Sequence, residues 1–145
     1  MLRKKNSQRG STLVEFAIGV TVFLTAMFAV LEFGRALWTH NALTDAARQG
    51  ARYATIHSQA DIDSVKNVVV YGDPAGGTKP VVNNLTTSNV VVTYSSFGLN
   101  AGTVSVSITN YKFQFVIPIV GTTINMPAYQ TTLTGESVGL KPANM

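Results

Sequence analysis

From Leu13 to Leu31 nineteen residues carry a single charge, Glu15, and the sixteen from Phe16 to Leu31 carry none. That run approaches the roughly 20 apolar residues needed to cross a hydrocarbon core. After Arg35 the pattern turns amphipathic: Ala36, Leu43, Ala47, Gly50 and Ala54 recur at steps of 7, 4, 3 and 4, which puts a narrow stripe of small and apolar residues on one helical face. Asp45, Arg48 and Arg52 fall on another face, with Asp45 and Arg48 spaced to pair at i, i+3. No proline interrupts residues 11 to 56. The pattern therefore predicts one continuous helix of 46 residues, about 69 Å long at 1.5 Å per residue, whose outer half projects beyond a bilayer. Its outer stripe is expected to pack mainly on the chain's own sheet. The membrane half, including Gly19 and Ala26, is expected to pack against other subunits.

Asp61 to Gly72 has an acidic start and a glycine stop, which predicts a second short helix, with Asp61 as its N-cap. Its valine-rich end makes a strand the competing assignment. Asp73 to Pro80 holds two prolines and reads as a loop. From Asn89 the period becomes two. Val90, Val92 and Tyr94 alternate with Val91, Thr93 and Ser95, and Val104, Val106 and Ile108 alternate with Ser105, Ser107 and Thr109, as in strands with one wet face. Ser96 to Gly102 supplies glycine and asparagine for a hairpin between them. Phe113 to Val120 is an apolar patch broken by Pro118 and stopped by Gly121, so it leaves the sheet or forms its edge. Packing under the helix is the preferred reading of that patch, and an apolar loop touching lipid or another subunit is the alternative. Tyr129 to Val138 is the expected last strand. The fold class expected is α+β: a long N-terminal helix, its first half transmembrane, packed on a three- to four-stranded antiparallel meander. The expected parts are a basic leader at 1–10, the membrane part of the helix at 11–34, an outer helical region at 35–72, a loop at 73–88 and a β region at 89–145.

Charge adds direction to this layout. Arg3, Lys4, Lys5 and Arg9 are four of 11 basic residues and no acid lies among the first ten, which leaves seven basic and seven acidic side chains beyond. The basic character belongs to the N-terminal tail, so it is a topological signal rather than a nucleic-acid footprint. By the positive-inside bias the N-terminus is cytoplasmic and everything past about Gly34 is extracytoplasmic. Glu32 and Arg35 are spaced to pair at the outer membrane edge, and Phe28, Phe33 and Trp38 fall where interfacial aromatics gather. With no cysteine, neither a disulfide framework nor a thiolate metal site is available.

Three readings of the apolar segment compete: a cleaved secretory signal, a permanent signal anchor, and a leader cut away ahead of a retained helix. A secretory signal predicts a shorter apolar run and an A-x-A-like site, which is missing. A plain anchor gives Glu15 no role, although intramembrane carboxylates are by default functional. Gly10 followed by Ser11-Thr12-Leu13-Val14-Glu15-Phe16 resembles a type IV prepilin junction. Together with Glu32-Phe33-Gly34-Arg35-Ala36-Leu37 and Ala46-Ala47-Arg48-Gln49-Gly50-Ala51-Arg52-Tyr53-Ala54, it is similar to the TadE-like pseudopilins of tight-adherence (Flp-type) pilus systems. The likeness is detailed over about the first 55 residues and is one of pattern alone thereafter.

The resemblance implies a prepilin peptidase that cuts between Gly10 and Ser11, and assembly residues Glu15 and Phe16. A carboxylate in hydrocarbon costs a few kcal/mol, so it must take up a proton, snorkel to the interface or find a cation. In pilins the implied cation is the N-terminal amine of a neighbouring subunit, which cleavage creates. A headgroup-facing glutamate in the first helical turn, favoured by the macrodipole, is the alternative. The implied partners are other pilin-like subunits, a membrane assembly platform and the bilayer, and the implied place is the inner membrane with incorporation into a pilus.

Chemistry is sparse. His40 and His57 lie 17 residues apart on the helix and at its end, about 25 Å along a helix axis, and are expected to be solvated. Asp61 and Asp63, even with Asp73, lack the loop pattern of a calcium site. No catalytic or phosphate-binding motif occurs, so neither an enzyme nor a cofactor is expected. The function expected is that of a minor pilin or pseudopilin that primes, caps or modulates an adherence pilus. A signal-anchored binding module, or the major subunit of an unusual filament, are the alternatives.

Overall fold

The computed structural model describes residues 7–95, 102–116 and 123–134, with side chains from Gly10 onward. Helix α1 runs unbroken from Ser7 to Thr55 over 49 residues. It begins upstream of Gly10, so the Gly10–Ser11 peptide lies inside its first turns. Within the apolar half, the hydroxyls of Thr21 and Thr25 donate to the carbonyls of Ala17 and Thr21, each at 2.8 Å. A polar side chain is satisfied there without leaving the helix surface.

After a short 3-10 turn at Gln59–Asp61, helix α2 spans Ile62–Tyr71, so the helical reading of that stretch holds over the strand. Asp61 occupies the N-cap position without a capping side-chain bond. Its carboxylate instead accepts from the backbone N–H and Oγ of Ser58, at 3.3 and 3.0 Å. The expected N-cap bond of Asp61 is thus replaced by one that fastens the preceding turn. Gly72 ends α2 in the left-handed region, φ 76°, and donates to Val68 O at 2.9 Å, which glycine does without a Cβ penalty.

Strands β1 (Val90–Ser95) and β2 (Thr103–Ile108) pair antiparallel in the alternation read from the sequence, with Val92 opposite Val106. Strand β3 (Lys112–Gln114) and β4 (Thr123–Asn125) make a separate two-stranded ribbon, and β5 (Tyr129–Thr134) returns beside β2. The main sheet therefore has the order β1-β2-β5. The expected α+β plan of a long helix on a small antiparallel sheet of three to four strands holds, with three strands in the main sheet, and β3 leaves it for the ribbon just after Asn110, which takes φ 57°. The apolar patch divides as well: Phe113 is buried and Val116 exposed, while its remainder, 117–120, lies outside the described residues, as do the hairpin connection at 96–101 and the end of the last strand at 135–138.

The core lies between the outer half of α1, helix α2 and the inner faces of β1, β2 and β5. Leu43, Ala47, Gly50 and Ala54 of the predicted stripe are all buried, joined by Ala46 and Ala51. They face Val65, Val69 and Val70 of α2 and Val104, Val106 and Ile108 of β2. A Cβ added at Gly50 would collide with Cγ2 of Val69 and lie 3.4 Å from Cγ1 of Val106. Gly50 is what lets α1, α2 and β2 approach at one point.

Candidate membrane and assembly surface

Helix α1 is long and apolar enough to cross a membrane, and its most apolar window, with mean hydropathy 2.2, is 0 % buried within the fold. Leu13, Val14, Phe16, Ile18, Val22 and Phe23 all stand out from the helix. Gly10, Ser11, Glu15 and Phe16 are exposed, and among the described residues nothing lies within 4 Å of a Cβ placed on Gly10 or Gly19. Among the described residues, Glu15 forms no ion pair. Among the described residues the N-terminal half of α1 is thus a bare rod that needs lipid or other helices around it.

At the outer end of that rod the picture changes. Glu32 is 8 % exposed, and Arg35 Nη1 donates to both of its carboxylate oxygens, at 2.8 and 2.6 Å. The expected pair is therefore present, but it does more than face lipid. Glu32 Oε1 also accepts from the backbone N–H of Val116 at 3.3 Å, and Arg35 Nη2 donates to Gln114 O at 3.4 Å. The Arg35 guanidinium lies over the Phe113 ring, 5.2 Å from its centroid, and Phe113 and Phe115 stack edge to face at 5.3 Å. One i, i+3 pair thus ties β3 and the residues after it to the helix.

An open groove of about 720 Å³ lies beside this bracket, its lining including Arg35, Trp38, Pro80, Asn83, Asn84 and Tyr111. Trp38 is 62 % exposed at its rim. Tyr111 donates its hydroxyl to Asn83 O at 2.7 Å. Burial pushes the Tyr111 phenol above its usual range, against an opposing pull from Arg35 and with a further push from Tyr129. Burial also raises the Tyr94 and Tyr129 phenols, that of Tyr94 with a contribution from Asp61.

His40 is exposed, as expected, and His57 half-buried, and each also has a partner within the fold. His40 Nδ1 meets the Tyr129 hydroxyl at 3.0 Å with the rings edge to face, pinning β5 to α1. His57 stacks on Tyr53 at 3.7 Å, and its Nδ1 lies 2.8 Å from Tyr53 O. Asp73 Oδ1 accepts from Ala75 N at 2.8 Å and so closes its own turn.

Reasoning from sequence placed Glu32 and Arg35 correctly on one face but missed their partners Phe113, Gln114 and Val116. The available signal was energetic: a second carboxylate at the end of an apolar span requires hydrogen-bond donors. Residues 10–52 match the family model described as TadE-like protein, a match confined to α1 and beginning at Gly10. No curated protein and no solved structure matches the chain.

Proposed function

We propose that this chain, TadE-like through residues 10–52, is a minor pilin-like subunit of a tight-adherence pilus. In this reading a prepilin peptidase removes the basic leader after Gly10. The retained helix stands in the inner membrane with the β region outside, and its apolar half passes into the company of other pilin-like helices and the assembly platform. The role is structural, not enzymatic. The observation that carries the reading is the wholly unburied apolar window of α1 in the segment where the family match begins at Gly10.

The chemistry of the junction supports it. Glycine inside a helix is less favourable than alanine by about 1 kcal/mol, and the first turn has no intrahelical acceptors for its N–H groups. The peptide after Gly10 lies just past the first turn of α1, which starts at Ser7, where the glycine and the nearby helix end both lower the cost of unwinding into a protease. Cleavage removes four positive charges and leaves an amine at Ser11, four residues before Glu15.

The groove beside Trp38 favours a second reading, an anchored module that binds an envelope ligand. Mass spectrometry of the chain recovered from membranes of a host that carries its peptidase separates the two. Ser11 as the first residue is the outcome expected. An intact leader on all recovered chains would sink the processed-subunit reading and leave the anchor.

A further inference from the structure

If Leu13 to Leu31 cross the hydrocarbon, its outer edge falls at about Glu32. The chain after β3 is held at that level by the bond from Val116 N to Glu32 Oε1, 3.3 Å, while Gln114 meets Arg35 one turn further out. His40 meets Tyr129, at the start of β5, further out still. Strand β3 thus descends along α1 toward the bilayer. Glu32 and Arg35 are separated by about 4.5 Å of helix axis, and the polar layer on each side of a bilayer is roughly 5–7 Å thick. The inner end of β3 therefore sits inside the headgroup layer.

What the chain presents there is apolar. Val116 is 72 % exposed and Ile124, opposite Phe113 across the ribbon, is 44 % exposed. Beyond Lys112, at the outer end of the ribbon opposite Asn125, no charged residue occurs until Glu136, so the groups nearest the bilayer that resist lipid are the uncharged Gln114 and Thr123, which a headgroup layer can solvate. Phe33 and Trp38 stand exposed on α1 at the neighbouring levels. The apolar surface of the ribbon is thereby continuous in height with the apolar surface of the span, and a water-facing Val116 would interrupt it.

We propose that the β3–β4 ribbon is a second membrane contact, with Val116 seated at the headgroup–acyl boundary of the outer leaflet beside α1 and Ile124, opposite Phe113, in the headgroup layer above it. This rests on the reading of α1 as a membrane span. Attachment at two points fixes the rotation of the outer domain about α1, and the ribbon has to leave lipid when the subunit is drawn out of the bilayer.

The chain contains no cysteine, so single substitutions report one position each. The full chain carrying Val116→Cys, Ile124→Cys, Val22→Cys or Thr93→Cys is labelled with bimane and reconstituted at about one chain per phosphatidylcholine vesicle. Nitroxide-bearing lipids then quench the label from shallow or deep positions. The expected result is strong quenching of Val22 by the deep nitroxide. Val116 and Ile124 should be quenched by the shallow one several-fold more than Thr93, which lies on the outer sheet face. If Val22 is quenched and Val116 and Ile124 match Thr93, the ribbon contact is overturned and the span stands. Loss of quenching at Val22 sinks the span itself. Protection of Val116 from aqueous iodide that appears only as the protein-to-lipid ratio rises assigns the surface to a second subunit and also overturns the lipid contact.

Discussion

Two residues show how much of this molecule turns on single atoms. Gly50 sits where α1, α2 and β2 converge, and an added methyl meets Val69 Cγ2 head-on. Replacing glycine by alanine in an exposed helix gains up to about 1 kcal/mol, whereas overpacking a tight core loses about 1–3 kcal/mol. The collision outweighs the gain because Val69 is fully buried and its branched side chain is stiff at χ1. Gly50→Ala should lower stability by about 1 kcal/mol or more, and pairing it with Val69→Ala should recover part of the loss. Thermal melting of the detergent-solubilised single and double variants checks both statements, and strict additivity of the two losses would show that the collision is not the cause. Glu32 makes a different point. Its carboxylate is nearly buried, yet three donated bonds, two from Arg35 and one from Val116 N, occupy it, so a costly group becomes the fastener between helix and ribbon.

At the scale of elements, three tyrosines lie on or beside three different strands, Tyr94 on β1, Tyr111 before β3 and Tyr129 on β5, each with its phenol raised chiefly by burial. An unfolded tyrosine ionises near pH 10. Because the folded state holds these protons to higher pH, their contribution to stability is complete below about pH 10 and is lost as pH rises through the folded values. Ionised Tyr111 also loses its donated bond to Asn83 O. Melting temperature should therefore fall steeply above pH 10, with a shallower fall in Tyr111→Phe, and a curve as flat between pH 10 and 11 as between 8 and 9 would refute this. The elements themselves were unequally legible from the sequence. The 3.6 period of α1 and the alternation in β1 and β2 persist for long enough to be seen. The β3–β4 ribbon was not legible, because its strands have three residues each and show no period. Its pairing is decided by the turn at Asn110 and by the helix it descends. Likewise the bracket joins residues 79 and 84 positions apart, a separation that no local pattern reports.

The whole molecule is two unlike halves on one helix. The outer half of α1 has its small-residue stripe buried by its own sheet. The inner half has the same kind of surface, with Gly19 and Ala26 among large apolar side chains, and no part of the described chain covers it. In water such a rod would aggregate, and in lipid its bare backbone grooves invite other helices. In the proposed assembly Glu15 sets the axial position of those helices. It is exposed, forms no ion pair among the described residues, and stands about 6 Å along the axis from the amine that cleavage would create at Ser11. Glu15→Gln keeps the shape and hydrogen bonding of the side chain and removes its charge. In the proposed assembly the variant should be processed at Gly10 as before, because the junction is intact, yet its share in sheared pili should fall at least about tenfold, the order expected when an intramembrane charge pair worth more than about 1.4 kcal/mol is lost. Quantitative immunoblotting of sheared pili against the membrane pool reads this directly. Wild-type incorporation of Glu15→Gln would assign the carboxylate to the headgroup layer and the macrodipole, and register would then have to come from the small-residue faces alone.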